Sequence, residues 1–195
     1  MALEHAILVS LSEQPAAGLE LSQRFARSIG FFWSATHQQI YRVLARMDEA
    51  GWIASTSVSQ QGRPTKKVYE VTSAGRAELR SWIAAPVPME QFRSELAVKL
   101  RGASYGDRAA VLDNVRDHLA DHRTRLAHYE TLASRDFPEP ESLDGQQLDV
   151  FLVLRGGIRL EQFWIGWLTE YLEAHHASDR PAQHTDPTDE GPAPR

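Results

Sequence analysis

The sequence predicts a mainly α-helical protein with a small β-hairpin near the middle of its first half. Apolar residues recur at steps of three and four along most of the chain, which is typical of amphipathic helices. A single pair of β-favouring runs flanks the turn Gly-Arg-Pro-Thr at 62–65. From residue 177 onward the chain is rich in Pro, Asp, Ala and Thr, with too little apolar surface to fold. We therefore expect a first domain at 1–86, a helical domain at 87–176 and a disordered tail at 177–195.

Composition narrows the class of protein. A chain of 195 residues with 42% hydrophobic content is long enough for a small domain and an attached helical one. It has no cysteine, which excludes disulfide frameworks and cysteine-based zinc sites. The N-terminus lacks the charged start of a signal peptide, and no apolar run approaches the ~18 residues of a membrane span. These features predict a soluble, cytoplasmic protein.

The first two helices are predicted on either side of a proline. Helical spacing covers Leu3–Ser12 and Pro15 ends it; a second helix follows over Gly18–Ser28, with Gly30 as its C-terminal cap. The aromatic connector at 31–33 is too apolar for a free loop, so we expect it to fill the core.

A third helix is predicted to be capped by Ser34 or Thr36 and to end at Gly51. Its apolar face carries Ile40, Leu44 and Met47. Its opposite face is rich in hydrogen-bond donors and carries His37, Gln38, Tyr41, Arg42, Ala45 and Arg46. One side of this helix is therefore built for a core and the other for a polar partner.

The hairpin follows directly. Residues 52–59 and 67–72 favour strands, and Thr72 or Ser73 caps a fourth helix that Pro86 and Pro88 close. Three helices, a hairpin and one more helix is the order of a winged helix-turn-helix. The hairpin would be its wing.

The second half is predicted to be helical throughout, over Gln91–Leu100, Asp107–Ser134 and Gln146–Ala174. The middle helix carries an a/d stripe of Leu112, Val115, Leu119, His122, Leu126 and Tyr129. Such a stripe needs a partner helix, so we expect a C-terminal α-helical dimerisation domain. The last helix carries the aromatic residues Phe163, Trp164, Trp167 and Tyr171. They fit either the core of a dimer or a pocket for a flat hydrophobic effector, and burial in the core is the simpler interpretation.

The charge distribution favours a nucleic-acid partner for the first domain. The chain carries a net charge of -5, yet Met1–Pro86 holds nine Lys and Arg against seven Asp and Glu, and between His37 and Lys67 there are five cations and two acids. In a winged helix-turn-helix the third helix enters the major groove and the wing lies over the flanking backbone. We predict base contacts by Gln38, Gln39 and Arg42, with His37 also in reach of base edges. The predicted phosphate contacts are Tyr41, Arg46, Arg63, Lys66 and Lys67, and Thr36 lies at the same end of the helix. The alternative is a winged-helix module that contacts another protein.

Three stretches, HQQIYRVLARMDEAGWI, QQGRPTKKVYEVTSAGRAEL and RSELAVKL, resemble the PadR family of bacterial transcriptional regulators, in the branch with a longer, AphA-like C-terminal helical domain of the virulence-activator type. The resemblance implies a homodimer that binds a palindromic operator, usually as a repressor, with the C-terminal helices forming much of the dimer contact. Residues that match the family's motifs are Gln39, Tyr41, Arg42, Gly62, Arg63, Pro64, Lys67 and Tyr69. The chain departs from the family at Ser34, where proline is frequent, and at Gln38, where serine is common.

Histidines are the remaining candidates for chemistry. His118 and His122 are spaced i, i+4, and His128 and the pair at 175–176 add candidates, but no carboxylate–histidine metal motif accompanies them. A hydrogen-bonded histidine within the stripe is the common case. The sequence also lacks a phosphate loop, a GxSxG elbow and a cysteine nucleophile. We expect no metal, no cofactor and no enzymatic activity; a small metal-dependent enzyme or sensor on the helical half is the other alternative.

Overall fold

The structure is a computed structural model that describes residues 2–27, 35–60, 63–89 and 91–178. The chain forms two compact units, Met1–Gln91 and Phe92–Arg195. The division falls after Gln91, whereas the sequence suggested Pro86; both positions lie in the non-helical connection after the fourth helix. The mainly α architecture with a small β wing is confirmed.

The first unit contains four helices and three strands in the described residues. They are α1 (Ala2–Glu13), β1 (Ala16–Ala17), α2 (Gly18–Arg27), α3 (His37–Glu49), β2 (Ile53–Gln60), β3 (Arg63–Val71) and α4 (Ser73–Ala84). The predicted cap at Gly30, the aromatic connector at 31–33 and Ser34 lie outside the described residues. Thr36, the other predicted cap, begins α3.

The sheet has the order β1-β3-β2, with both pairings antiparallel. The wing hairpin runs from the Ile53↔Val71 pair at its base to the Gln60↔Arg63 pair near its tip. Strand β1 was not predicted, because two alanines between Pro15 and Gly18 carry no strand pattern. It pairs Ala16 with Tyr69 and Ala17 with Val68, which ties the connection between α1 and α2 to the wing.

One hydrophobic core holds the first unit together. The predicted face of α3 is buried, and Val43 is buried beside it. These residues pack with side chains from α1, α2 and β2, the largest of which are Ile7, Leu8, Leu11, Leu21, Phe25 and Ile53. The buried side of α3 fixes the direction in which its polar side points.

The base of the wing is closed by a tight backbone contact. Thr72 Oγ1 accepts the Gly75 N–H at 3.1 Å and lies 2.7 Å from the carbonyl oxygen of Gly51, so Thr72 caps α4 and links it to the start of β2. At Gly75 a β-carbon would lie only 2.0 Å from the Trp52 carbonyl oxygen. Only glycine fits there, which gives the Thr-Ser-Ala-Gly segment a structural role.

The second unit consists of α5 (Glu95–Arg101), α6 (Arg108–Asp136) and α7 (Gly145–Ser178), with short 3-10 turns at Ala103–Tyr105 and Pro140–Ser142. The helix predicted from Gln91 begins four residues later, because Ser94 caps it by accepting the Ala97 N–H at 3.1 Å. The predicted tail lies outside the described residues, apart from 177–178, which continue α7.

The stripe on α6 has its partner within the same chain. Val115, Leu119, His122 and Tyr129 are buried on α6, which packs along α7, and Leu168 of α7 is fully buried in one cluster with Val115 and Leu119. Leu112 and Leu126 are partly exposed. The stripe therefore does not by itself require a second copy of the chain. The expectation that it needs a partner helix from another chain is corrected, because α7 of the same chain is that partner.

Candidate nucleic-acid interface

Helix α3 begins with a reciprocal pair of hydrogen bonds. Thr36 Oγ1 accepts the Gln39 N–H at 3.2 Å, and Gln39 Oε1 accepts the Thr36 N–H at 2.8 Å, which is a capping box. Both side chains were predicted to contact DNA. The capping box gives both a structural role and leaves the amide nitrogen of Gln39 available. The spacing Thr-x-x-Gln is a capping signal that the sequence interpretation missed.

The next residues of α3 present their donors to solvent. His37, Gln38 and Arg42 are exposed on the first two turns of the helix. Within the described part of the chain, no ion pair engages Arg42. These three residues thus form an exposed polar face at the N-terminal end of α3, as the helical spacing predicted.

Tyr41 continues this face and packs against the second helix. Tyr41 is 48% exposed, and a β-carbon at Gly18 would lie 2.5 Å from its Cε1 atom. The missing side chain of Gly18 is therefore the space that the tyrosine ring occupies. The ring therefore lies against α2 without being buried.

Arg46 has a partner that the sequence did not suggest. Its guanidinium forms an ion pair with Glu4 of α1, whose side chain is buried, while that of Arg46 remains 47% exposed. The pair connects α1 to α3. The predicted phosphate contact would have to be made by an arginine already bound to a carboxylate.

The wing cations differ from one another. Lys66 Nζ lies 2.8 Å from Glu20 Oε1 on α2, and this hydrogen bond is the main reason that the pKa of Glu20 falls below its ordinary value. Lys67, the next residue of β3, is exposed, and no ion pair among the described side chains involves it. The backbone of Arg63 begins β3, and its side chain lies outside the described part of the structure.

The second unit contains a polar cluster around the buried side chains of His122 and Glu161, of which the sequence predicted only His122. His122 Nδ1 lies 2.5 Å from Glu161 Oε2, Arg125 Nε donates to Glu161 Oε1 at 3.2 Å, and the Trp164 indole stacks on the His122 ring at 5.2 Å. His122 was expected; Glu161 was not, since one carboxylate in an apolar helix usually faces solvent. Burial and the nearby Glu161 charge raise the pKa of Tyr129.

This cluster forms one wall of an open cavity of about 600 Å³ between the three helices of the unit. Its other walls come from Ser94, Leu96, Lys99, Asn114, His118 and Asp121. Cationic, anionic and aromatic groups face the same space. The cavity has the mixture of groups that small-molecule sites use to orient a ligand.

The aromatic residues of α7 divide between two faces. Trp164, Trp167 and Tyr171 pack on the core of the unit, and Tyr171 Oη donates to the Leu100 carbonyl at 3.1 Å. Phe163 is 55% exposed and lies with Leu152, Val153 and Leu160 on the outer side of the helix. The other residues predicted for the dimer interface or effector pocket, Leu112, Leu119 and Leu126, lie on α6 and not on α7.

The described residues contain neither a cluster of metal-binding side chains nor a membrane-spanning helix. Among residues 2–27, 35–60, 63–89 and 91–178, no group of three or more metal-binding side chains comes together. In those same ranges, no helix is long and apolar enough to cross a membrane.

Two family models match the chain, one over each unit. The transcriptional regulator PadR-like family matches residues 7–81, and the virulence activator alpha C-term family matches residues 92–176. The division between the two matches falls close to the division between the two compact units.

Curated relatives match nearly the whole chain. A probable transcriptional regulator of Mycobacterium tuberculosis, Rv1176c, is 50% identical over 184 residues, covering 89% of this chain and 97% of the relative. The negative transcriptional regulator PadR of Bacillus subtilis is 30% identical over 176 residues, covering 87% and 95%. Both relatives are described as transcriptional regulators, the first as a probable one.

Solved structures of transcriptional regulators also match this chain over most of its length. The virulence activator AphA of Vibrio cholerae superimposes with a TM-score of 0.75 at 34% identity, covering 90% of this chain and 99% of that one. Bacillus subtilis PadR in complex with operator DNA gives 0.79 at 27% identity, covering 89% and 99%, and its complex with p-coumaric acid gives 0.72. The fold, the two matching models and the full-length relatives together place this chain in the PadR family of transcriptional regulators.

Proposed function

We propose that this PadR-family regulator binds a palindromic operator as a homodimer and represses transcription in the cytoplasm. The observation that carries the proposal is the exposed face of α3, where His37, Gln38 and Arg42 are held on a helix whose other side is fully buried. An exposed helix face rich in donors suits the edges of bases in the major groove. The wing supplies cations for the flanking backbone.

Within this interface we assign two kinds of contact. Gln38 and Arg42 read base edges, because an amide pairs with adenine and a guanidinium with guanine. The Gln39 side chain contributes only its amide nitrogen, since its oxygen caps the helix. Tyr41, Arg63 and Lys67 contact phosphates, which fix register and orientation but carry no sequence information.

Dimerisation is assigned to the outer face of α7. Leu152, Leu160 and Phe163 are each more than half exposed along one side of this 34-residue helix. Beside them a β-carbon at Gly156 would meet no atom within 4 Å, so none of the described residues covers the helix there. A second copy related by a two-fold axis would bury the row on both chains. Two-fold symmetry would then set the recognition helices about one DNA turn, ~34 Å, apart.

Repression and its relief are proposed from the Bacillus subtilis relative, which is described as a negative regulator and has been solved with p-coumaric acid. We assign the effector of this chain to small aromatic acids and its site to the open cavity beside His122. Trp164 offers a flat surface for a ring, and Arg125 and His118 offer donors for a carboxylate. An effector relieves repression if it favours a dimer geometry that does not fit the operator.

The assignment of the wing is tested by fluorescence anisotropy with duplex DNA from the protein's own upstream region, titrated at several salt concentrations. Arg63→Ala combined with Lys67→Ala should weaken binding to every sequence and reduce the salt slope by about 2, because each lost phosphate contact releases about one counterion fewer. Gln38→Ala should instead change the preference among operator variants.

Arg123→Ala serves as the control, since Arg123 is an exposed cation of the second unit that does not line the cavity. Equal salt slopes for wild type and the double variant would refute the wing assignment. If the wild type shows no salt-dependent binding to DNA, the alternative function is favoured, a winged-helix module that contacts another protein.

A second expectation concerns the position of Tyr41. Gly18→Ala should displace its ring and lower DNA affinity about tenfold, the usual effect of losing a hydrogen bond to a charged group, while the fold is retained because the ring is free to move outward. Circular dichroism and anisotropy on the same samples separate the two effects. Tyr41→Phe keeps the ring and removes only the hydroxyl, so it should lower affinity similarly. Undiminished affinity in both variants would exclude Tyr41 from the interface.

A further inference from the structure

We propose that Glu20 is an internal counterion that competes with DNA phosphate for Lys66, and that this competition limits binding to DNA of arbitrary sequence. The proposal rests on the proposed function, because it needs the wing to lie on a DNA backbone. In this proposal the carboxylate of Glu20 on α2 increases the preference of the protein for its operator over other DNA.

The two residues are brought together by the short strand β1. They are 46 positions apart in sequence, yet Ala17 of β1 pairs with Val68 of β3. Glu20 comes three residues after Ala17, and Lys66 comes two residues before Val68. The register of this small pairing therefore fixes the distance between the carboxylate and the ammonium group.

The carboxylate of Glu20 is held from both sides. Oε1 accepts from Lys66 Nζ at 2.8 Å, and Oε2 accepts the backbone N–H of Ala17 at 3.0 Å. Both contacts lower the pKa of Glu20, the Lys66 hydrogen bond more strongly, so the group stays ionised at neutral pH. A fixed negative charge thus accompanies a cation that the wing would otherwise offer to phosphate.

The ion pair between Lys66 and Glu20 is partly exposed, so Lys66 can exchange the carboxylate for a DNA phosphate. The side chains of Lys66 and Glu20 are 32% and 51% exposed, so a phosphate oxygen can reach the ammonium group without unfolding anything. Exposed pairs of this kind are weak in water. A well-placed phosphate can therefore take Lys66 from Glu20, whereas a poorly placed one leaves the ion pair closed and gains no cation. Only a duplex that fits the rest of the interface gains the contact.

The neighbouring lysine supplies the comparison. Lys67 follows Lys66 in β3, so its side chain leaves the opposite face of the strand. It is exposed and has no ion pair within the described side chains. Lys67 can contact any phosphate directly, while Lys66 must first leave Glu20. Two adjacent cations of the wing then make different contributions to affinity and to specificity.

The test compares wild type, Glu20→Gln, Lys66→Met and the double variant by anisotropy with the operator duplex and a scrambled duplex across salt concentrations. Glutamine keeps an oxygen for the Ala17 N–H and removes the charge, so the fold should be unaffected in circular dichroism. Glu20→Gln should bind the scrambled duplex about fivefold more tightly and steepen the salt slope by about 0.9, the value for one added phosphate contact. The ratio of operator to scrambled affinity should fall.

Two backgrounds show whether Lys66 carries the effect. In Lys66→Met, the change Glu20→Gln should steepen the slope clearly less, because no cation is released. In Lys67→Met it should act as in the wild type. Unchanged or weaker binding of Glu20→Gln to the scrambled duplex would overturn the counterion proposal while leaving the DNA-binding function intact. A wild type that shows no salt-dependent DNA binding would overturn both.

Discussion

Replacing Gly75 with alanine should destabilise the N-terminal unit by about 3 kcal/mol or more, which is the upper range for an added methyl group in a packed site. The new β-carbon would lie 2.0 Å from the carbonyl oxygen of Trp52. That oxygen belongs to the backbone and accepts the N–H of Thr72 at 3.0 Å, so it cannot move away without opening the base of the wing. Urea unfolding followed by circular dichroism measures the loss, and DNA binding should fall with it.

Ala74→Ser is the matched control for this substitution. It adds one atom in the same helical turn at an exposed position, and we expect its unfolding midpoint to stay near that of the wild type. A Gly75→Ala protein with a wild-type midpoint would mean that the close approach of α4 to the Trp52 carbonyl does not exist in solution.

The second large effect is expected at the buried carboxylate of α7. Glu161→Ala should cost about 2 kcal/mol, as when a buried hydrogen-bond acceptor is removed and the groups that faced it are left unsatisfied. Glu161 and His122 side chains are each only 9% exposed, and without the carboxylate the imidazole and the Arg125 guanidinium would face each other with no acceptor between them. Urea unfolding reports the loss, and the altered Trp164 environment should change tryptophan fluorescence.

Three further variants separate charge from shape. Glu161→Gln keeps an acceptor for His122 and should cost less than Glu161→Ala. Arg125→Ala should cost less still, because its side chain is 48% exposed and its partners remain paired with each other. Glu170→Ala removes an exposed carboxylate from the same helix. If Glu161→Ala were no more destabilising than Glu170→Ala, the cluster would have no structural role.

Most of the N-terminal unit was predictable because its signals are local. The spacing of Ile40, Leu44 and Met47 identified the buried side of α3, and the hydroxyl of Thr72 marked the start of α4. A helix face and a cap each depend on residues within one or two turns. The polar face opposite Ile40 followed from the same periodicity.

The missed features depend on partners that are distant in sequence. Strand β1 exists because β3 offers it an edge, and two alanines carry no sign of that. Glu161 pairs with His122 across 39 residues, and Lys66 pairs with Glu20 across 46. No local spacing encodes such contacts, since they are set by how whole elements pack. Gln39 was missed for another reason: glutamine serves equally well as a cap and as a base reader.

Separation of the two sides of α3 has a consequence for changing the target of this regulator. Thr36 and Gln39 hold the start of the helix, and Ile40 and Leu44 anchor it, whereas the side chains of Gln38 and Arg42 are exposed. Substitutions at 38 and 42 other than to glycine or proline can therefore be combined at little cost in stability. A library randomised at these two positions should yield folded proteins almost throughout, so that selection would act on operator choice alone.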